Sequence, residues 1–60
     1  MNGRSLELNG QVYNLGEMSD AEIIAWARER RRTDEIMFQL RQKYHTDAEL
    51  LAAIERGEIK

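Results

Sequence analysis

The stretch that decides the fold is Met18–Tyr44, MSDAEIIAWARERRRTDEIMFQLRQKY. It holds two apolar clusters, Ile23-Ile24-Ala25-Trp26-Ala27 and Ile36-Met37-Phe38 with Leu40 and Tyr44. Between them, Arg28 to Glu35 is polar without interruption. As one continuous helix rising about 1.5 Å per residue, the stretch is a rod of about 37 Å. Broken, it is two helices folded against each other. Arg30 to Arg32 place cations where a helix C-terminus favours them, and Thr33-Asp34-Glu35 supplies an N-cap and an acidic first turn. These signals favour a break near Thr33. The rod competes with it, because no Gly or Pro intervenes and Arg and Glu are good helix formers. Ile23, Arg30, Met37 and Tyr44 also keep a heptad spacing across the gap.

Upstream, Ser5 to Leu15 (SLELNGQVYNL) predicts a β-hairpin. Asn9-Gly10 fits a type I′ turn, which needs positive φ at both central residues. That turn sets Leu8 opposite Gln11, Leu6 opposite Tyr13 and Arg4 opposite Leu15. Strand side chains alternate, so Leu6, Leu8, Tyr13 and Leu15 share one face, and Ser5, Glu7, Val12 and Asn14 the other. A hairpin alone is unstable in water, so its apolar face must cover a helix or another chain. Residues 1–4 carry no apolar anchor beyond Met1 and are expected to fray. Gly16-Glu17 is a connector. Ser19 and Glu22 form an S-x-x-E capping box, with Met18 and Ile23 at the hydrophobic-staple positions around it.

Downstream, Asp34 to Tyr44 sets Met37, Leu40 and Tyr44 on one side of a helix, while Phe38 lies about 100° away around the axis. His45-Thr46 is a tight connector, and Thr46 and Glu49 make a second capping box. Asp47 to Arg56 predicts a helix with Leu50, Leu51 and Ile54 inward. Gly57 suits the left-handed residue that ends it, and Ile59 is placed to fold back over that end.

The expected fold is α+β: an N-terminal β-hairpin (5–15) followed by two or three helices in one small domain spanning 1–60. The alternatives are a long central helix (19–44) plus a short C-terminal helix (46–57), or three helices with the break near 33. A chain of 60 residues buries only roughly 60% of its unfolded surface and has little stability to spare. There is no Cys, so neither disulfides nor Cys-ligated zinc can staple it. No apolar run reaches the roughly 18 residues of a membrane span, and MNGRSLELNG lacks the apolar core of a signal peptide. The expectation is a cytoplasmic protein with no membrane partner.

Net charge is −2, from 9 Lys and Arg against 11 Asp and Glu, so bulk charge does not favour nucleic acid. The run Arg28, Arg30, Arg31 and Arg32 does concentrate cations. Its arginines splay around a helix, and Glu29, Asp34 and Glu35 offset them, so a solvated elbow or acidic-partner contact outranks phosphate binding. A helix-turn-helix reading fails on sign, because its recognition helix would carry Asp47, Glu49 and Glu55. A ribbon-helix-helix reading fails because Asn9-Gly10 turns the strand back on itself. His45 with Asp47 and Glu49 spells H-x-D-x-E, but both carboxylates suit the first turn of a helix and no second histidine exists. One histidine and no cysteine do not assemble a nucleophile, base and orienting group.

These points predict no enzyme activity, no catalytic or metal site, no cofactor and no small-molecule substrate. They predict a non-enzymatic protein-interaction module that self-associates, with a dimer favoured, or docks on a larger protein. Trp26, Met37, Phe38, Arg41 and Tyr44 are the candidate interface, since a hairpin and short helices cannot cover every large apolar group. Arg28, Arg30, Arg31 and Arg32 are the candidate contacts to phosphates or an acidic partner. A nucleic-acid-binding regulator is the second reading. An inhibitor of a host protein, of the kind carried by phages and mobile elements, is the third.

Overall fold

The computed structural model describes residues 3–60. Two strands, β1 (Arg4–Leu8) and β2 (Gln11–Gly16), are followed by three helices, α1 (Asp20–Glu29), α2 (Glu35–Lys43) and α3 (Asp47–Arg56). The fold is therefore α+β, an antiparallel hairpin with three helices.

The hairpin turns at Asn9 (φ 53°) and Gly10 (φ 81°), the two positive φ values of a type I′ turn. Leu8 pairs with Gln11 and Leu6 with Tyr13, as the turn dictates, but Arg4 pairs with Gly16 and not with Leu15. A bulge in β2, opposite Arg4 and Ser5, makes Leu15 the extra residue. It keeps Leu15 inward with Leu6 and Leu8, all three buried, and leaves Tyr13 half-buried beside them. Val12, on the other face, is 73% exposed. The expected fraying does not extend to Arg4, which is in β1 and pairs with Asp20 while donating to the Met18 carbonyl. Residues 1–2 lie outside the described residues.

The central stretch breaks. α1 ends at Glu29, and Thr33 and Asp34 donate their N–H groups to the Arg30 carbonyl at 3.2 and 2.9 Å. Asp34, one residue after the expected break, is the N-cap of α2 and accepts from the N–H groups of Ile36 and Met37. That side chain offers the backbone an alternative to a continuing ladder. The rod is excluded by size, since the longest extent of the molecule is 27 Å. Its heptad seam would also have put Arg30 in line with Ile23 and Met37. Folding back instead excludes Arg30 and buries both others, at 0% and 2% exposure.

Both predicted capping boxes are present, at Ser19/Glu22 and Thr46/Glu49. Each joins two backbone N–H groups to side-chain oxygens that would otherwise face water. Thr46→Ala is expected to cost about 1 kcal/mol, read as a lower urea midpoint with an unchanged slope.

α1 packs on both α2 and α3, and α2 also lies against β1. The core comprises Leu6, Leu8, Leu15, Ile23, Ala27, Met37, Leu40, Tyr44, Leu50, Ala53, Ile54 and Ile59. Leu51, expected inward on α3, is 41% exposed, because Leu50, Ala53 and Ile54 already fill the buried face at i, i+3 and i+4. Gly57 ends α3 in the left-handed region (φ 86°). The chain then returns to β1. Ile59 bridges antiparallel to Leu6 and is buried, and the Lys60 N–H donates to the Ser5 carbonyl at 2.9 Å.

Candidate functional site

The elbow and α2 together shape a surface depression of about 340 Å³ lined by Arg31, Arg32, Phe38, Arg41, Gln42 and His45. Helical spacing explains the grouping on α2, since residues three and four apart share a face, as do Phe38, Arg41 and Gln42. The break after Glu29 then swings Arg31 and Arg32 alongside. Phe38 is 48% exposed, a large aromatic left in water. Among the described residues the lining holds no carboxylate, and Arg31 and Arg32 are exposed and make no ion pair.

The remaining predicted site residues are dispersed. Met37 and Tyr44 are core residues at 2% and 6% exposure, so they offer almost no surface. Trp26 is half-buried against the core, with the Arg30 guanidinium 4.0 Å from its ring centroid. That cation–π contact engages one arginine of the run with its own helix. Arg28 is drawn away, its Nη2 donating to Asp47 Oδ2 at 2.6 Å. Of the run, Arg31 and Arg32 alone reach the depression.

Arg41 forms its inner wall. Its side chain is 12% exposed and pairs through Nη2 with Asp47 Oδ1, while Nε and Nη1 are buried without a partner among the described residues. Asp47 thus joins α1, α2 and α3 through two arginines, and these bonds, from Arg28 first and then Arg41, hold its carboxyl below the usual carboxylate range. Sequence reasoning assigned Asp47 only to the first turn of a helix. No local signal reveals its second task, because its partners lie 19 and 6 residues away.

Glu49 is likewise committed, accepting from the backbone N–H groups of His45 and Thr46 at 2.8 and 3.2 Å. The H-x-D-x-E triplet is therefore divided between capping and ion pairing.

A second polar link closes the far side of the core. The Tyr44 hydroxyl donates to Glu58 Oε1 at 2.5 Å, and Arg56 Nε donates to Glu58 Oε2 at 2.9 Å. Burial, and then the bond to Glu58, push the Tyr44 phenol up to about 12. The folded state holds this proton more tightly than the unfolded state, so its contribution is intact below about pH 10 and is lost as pH rises through 12. An alkaline absorbance titration should show one of the two tyrosines ionising only as the fold opens, and Tyr44→Phe should remove that late phase.

Among the described residues, no helix is long and apolar enough to cross a membrane. Compared with known proteins, the chain matches no family model, no curated protein and no solved structure.

Proposed function

We propose that the protein is a non-enzymatic interaction module of the cytoplasm that docks on an acidic surface of a larger protein. Phe38 is its apolar anchor, and Arg31, Arg32 and the rim of Arg41 are the cations around it. One observation carries this reading: an exposed aromatic in the lining of a depression that holds no carboxylate among the described residues. Interface hot spots pair such an aromatic with arginines and exclude water around it. Cations at the rim speed encounter with an acidic partner more than they tighten the complex. A protein that occupies a host component in this way is one form the same reading takes.

The test uses acidic peptides with a single leucine or phenylalanine, titrated into isotopically labelled protein. Amide shifts are expected to cluster on residues 31–32, 38, 41–42 and 45, and to vanish in Phe38→Ser with the fold intact. Shifts scattered over the surface, or unchanged in Phe38→Ser, would sink the proposal.

The second reading, nucleic acid, rests on the same cations but loses Arg28 to Asp47 and Arg30 to Trp26. It predicts binding to random RNA or DNA with a log–log salt slope of about −0.7 to −0.9 per phosphate contact. No binding at low salt would dispose of it.

A further inference from the structure

The two edges of the hairpin are finished differently. Along β1, the chain's own residues 59–60 lie against the strand, with Ile59 bridging Leu6 and the Lys60 N–H on the Ser5 carbonyl. Along β2 no described residue does the same. A two-residue turn makes Leu8 and Gln11 a hydrogen-bonded pair, and pairs alternate along an antiparallel ladder. Leu6 and Tyr13 are then also bonded to each other, whereas Ser5, Glu7, Val12 and Asn14 point their backbone groups outward. The Lys60–Ser5 bond confirms the alternation on β1. On β2, the outward N–H and C=O groups of Val12 and Asn14 have no backbone partner among the described residues.

Natural sheets guard an open edge with lysine, proline, an edge bulge or a very short strand. Over residues 11–14, β2 has none of these. Its six residues, QVYNLG, contain no charge and no proline, and Val12 stands 73% exposed in the middle. The bulge of β2 is at Leu15, the extra residue between Asn14 opposite Ser5 and Gly16 opposite Arg4, and so lies beyond residues 12–14.

We propose that β2 is a dimer seam, at which a second copy of this chain adds its own β2 antiparallel to form a four-stranded sheet across the two chains. Two-fold symmetry presents the same patch from both sides, and an antiparallel pairing of one strand with itself satisfies it. The absence of charge in β2 means that no like charges meet across the axis. Register follows from the outward groups. Val12 of one chain faces Asn14 of the other, and Asn14 faces Val12, so every outward group of both residues is bonded. Tyr13 then meets its counterpart on the axis in a non-bonded pair, the closer of the two pair types. Centring the pairing on Val12 or on Asn14 would leave outward groups of the other residue unmatched. This seam is separate from the Phe38 depression and does not depend on it.

Sedimentation equilibrium of the full chain from micromolar to millimolar concentration should show the mass rising from 7.0 kDa towards twice that value. Val12→Pro removes an N–H that the hairpin itself does not use. It should stay monomeric over the same range with the circular dichroism of the parent. Tyr13→Cys supplies a measurement that does not rely on proline being tolerated. In this cysteine-free chain the two introduced thiols would sit on the axis within disulfide reach. Air oxidation should link Tyr13→Cys into dimers much faster than Val12→Cys. A parent chain that remains monomeric at millimolar concentration overturns the proposal, even if it accepts a foreign extended peptide at β2. So does a folded Val12→Pro that still dimerises, or crosslinking at position 12 that matches position 13.

Discussion

Leu40→Ala is expected to leave the chain largely unfolded at room temperature. Leu40 is fully buried at 0% exposure, in the core with Ile23 and Leu50. Truncating such a leucine removes its transfer energy and leaves a cavity, at a cost of about 2–5 kcal/mol. A domain of 60 residues has roughly 3–9 kcal/mol in all, taking about 0.05–0.15 kcal/mol per residue. The loss is therefore comparable with the whole stability. Thermal unfolding followed by circular dichroism should show the transition falling by tens of degrees or disappearing. Leu51→Ala is the control: at 41% exposure it should move the transition little. Equal effects at positions 40 and 51 would contradict the packing of α2 and α3 described above.

Asp47→Asn is expected to destabilise the protein far more than an exposed ion pair would. The isosteric change removes one charge from between two arginines. Arg28 is 64% exposed and can return to water. Arg41 cannot, being 12% exposed with Nε and Nη1 already lacking partners among the described residues. Asp47 is itself 37% exposed, so its loss is costly through the buried guanidinium that is left without its counter-ion. Arg28→Ala should therefore be mild, Asp47→Asn severe, and Arg41→Met in the Asp47→Asn background should restore much of the loss. A double-mutant cycle on urea midpoints measures this, and additivity of the Asp47 and Arg41 changes would refute it. The same pair contributes to the acid limit. Asp47 is held below its unfolded value by Arg28 and Arg41, and Glu58 is held down by Arg56 and Tyr44. Their stabilisation is complete above about pH 4, the unfolded carboxylate range, and is lost as pH falls through their lower folded values. The parent should weaken steadily in that window, and Asp47→Asn less so.

What could be read from the chain alone was local. Asn9-Gly10 specified the turn and most of the register, and two capping boxes marked two helix starts within a residue. The elbow was legible only as a contest, since propensity and heptad phase spoke for a rod. Burial decided it, because a rod leaves the two apolar clusters without a common core. The Arg4 pairing failed because a bulge depends on keeping Leu15 under the sheet, which a fixed turn register does not reveal. Leu51 was misplaced because two adjacent leucines cannot both occupy one narrow helix face. At the candidate site, Phe38 could be singled out by its angle from Met37. The gathering of Arg31, Arg32 and Arg41 around it required the elbow, and the diversion of Arg28 and Arg30 required partners on other surfaces.

The bridge between Leu6 and Ile59 separates the order in which this chain is made from the order in which it is finished. Strand β1 is synthesised before the other elements of this fold, yet the residue that covers its outer edge and completes its side of the core follows some fifty positions later. The hairpin and α1 can form from neighbouring residues, but closing a loop of that length carries an entropic cost that only a nearly complete core offsets. A nascent chain lacking residue 59 therefore exposes both margins of its ribbon at once. Translation past Ile59 is the event that closes one margin and leaves the other open.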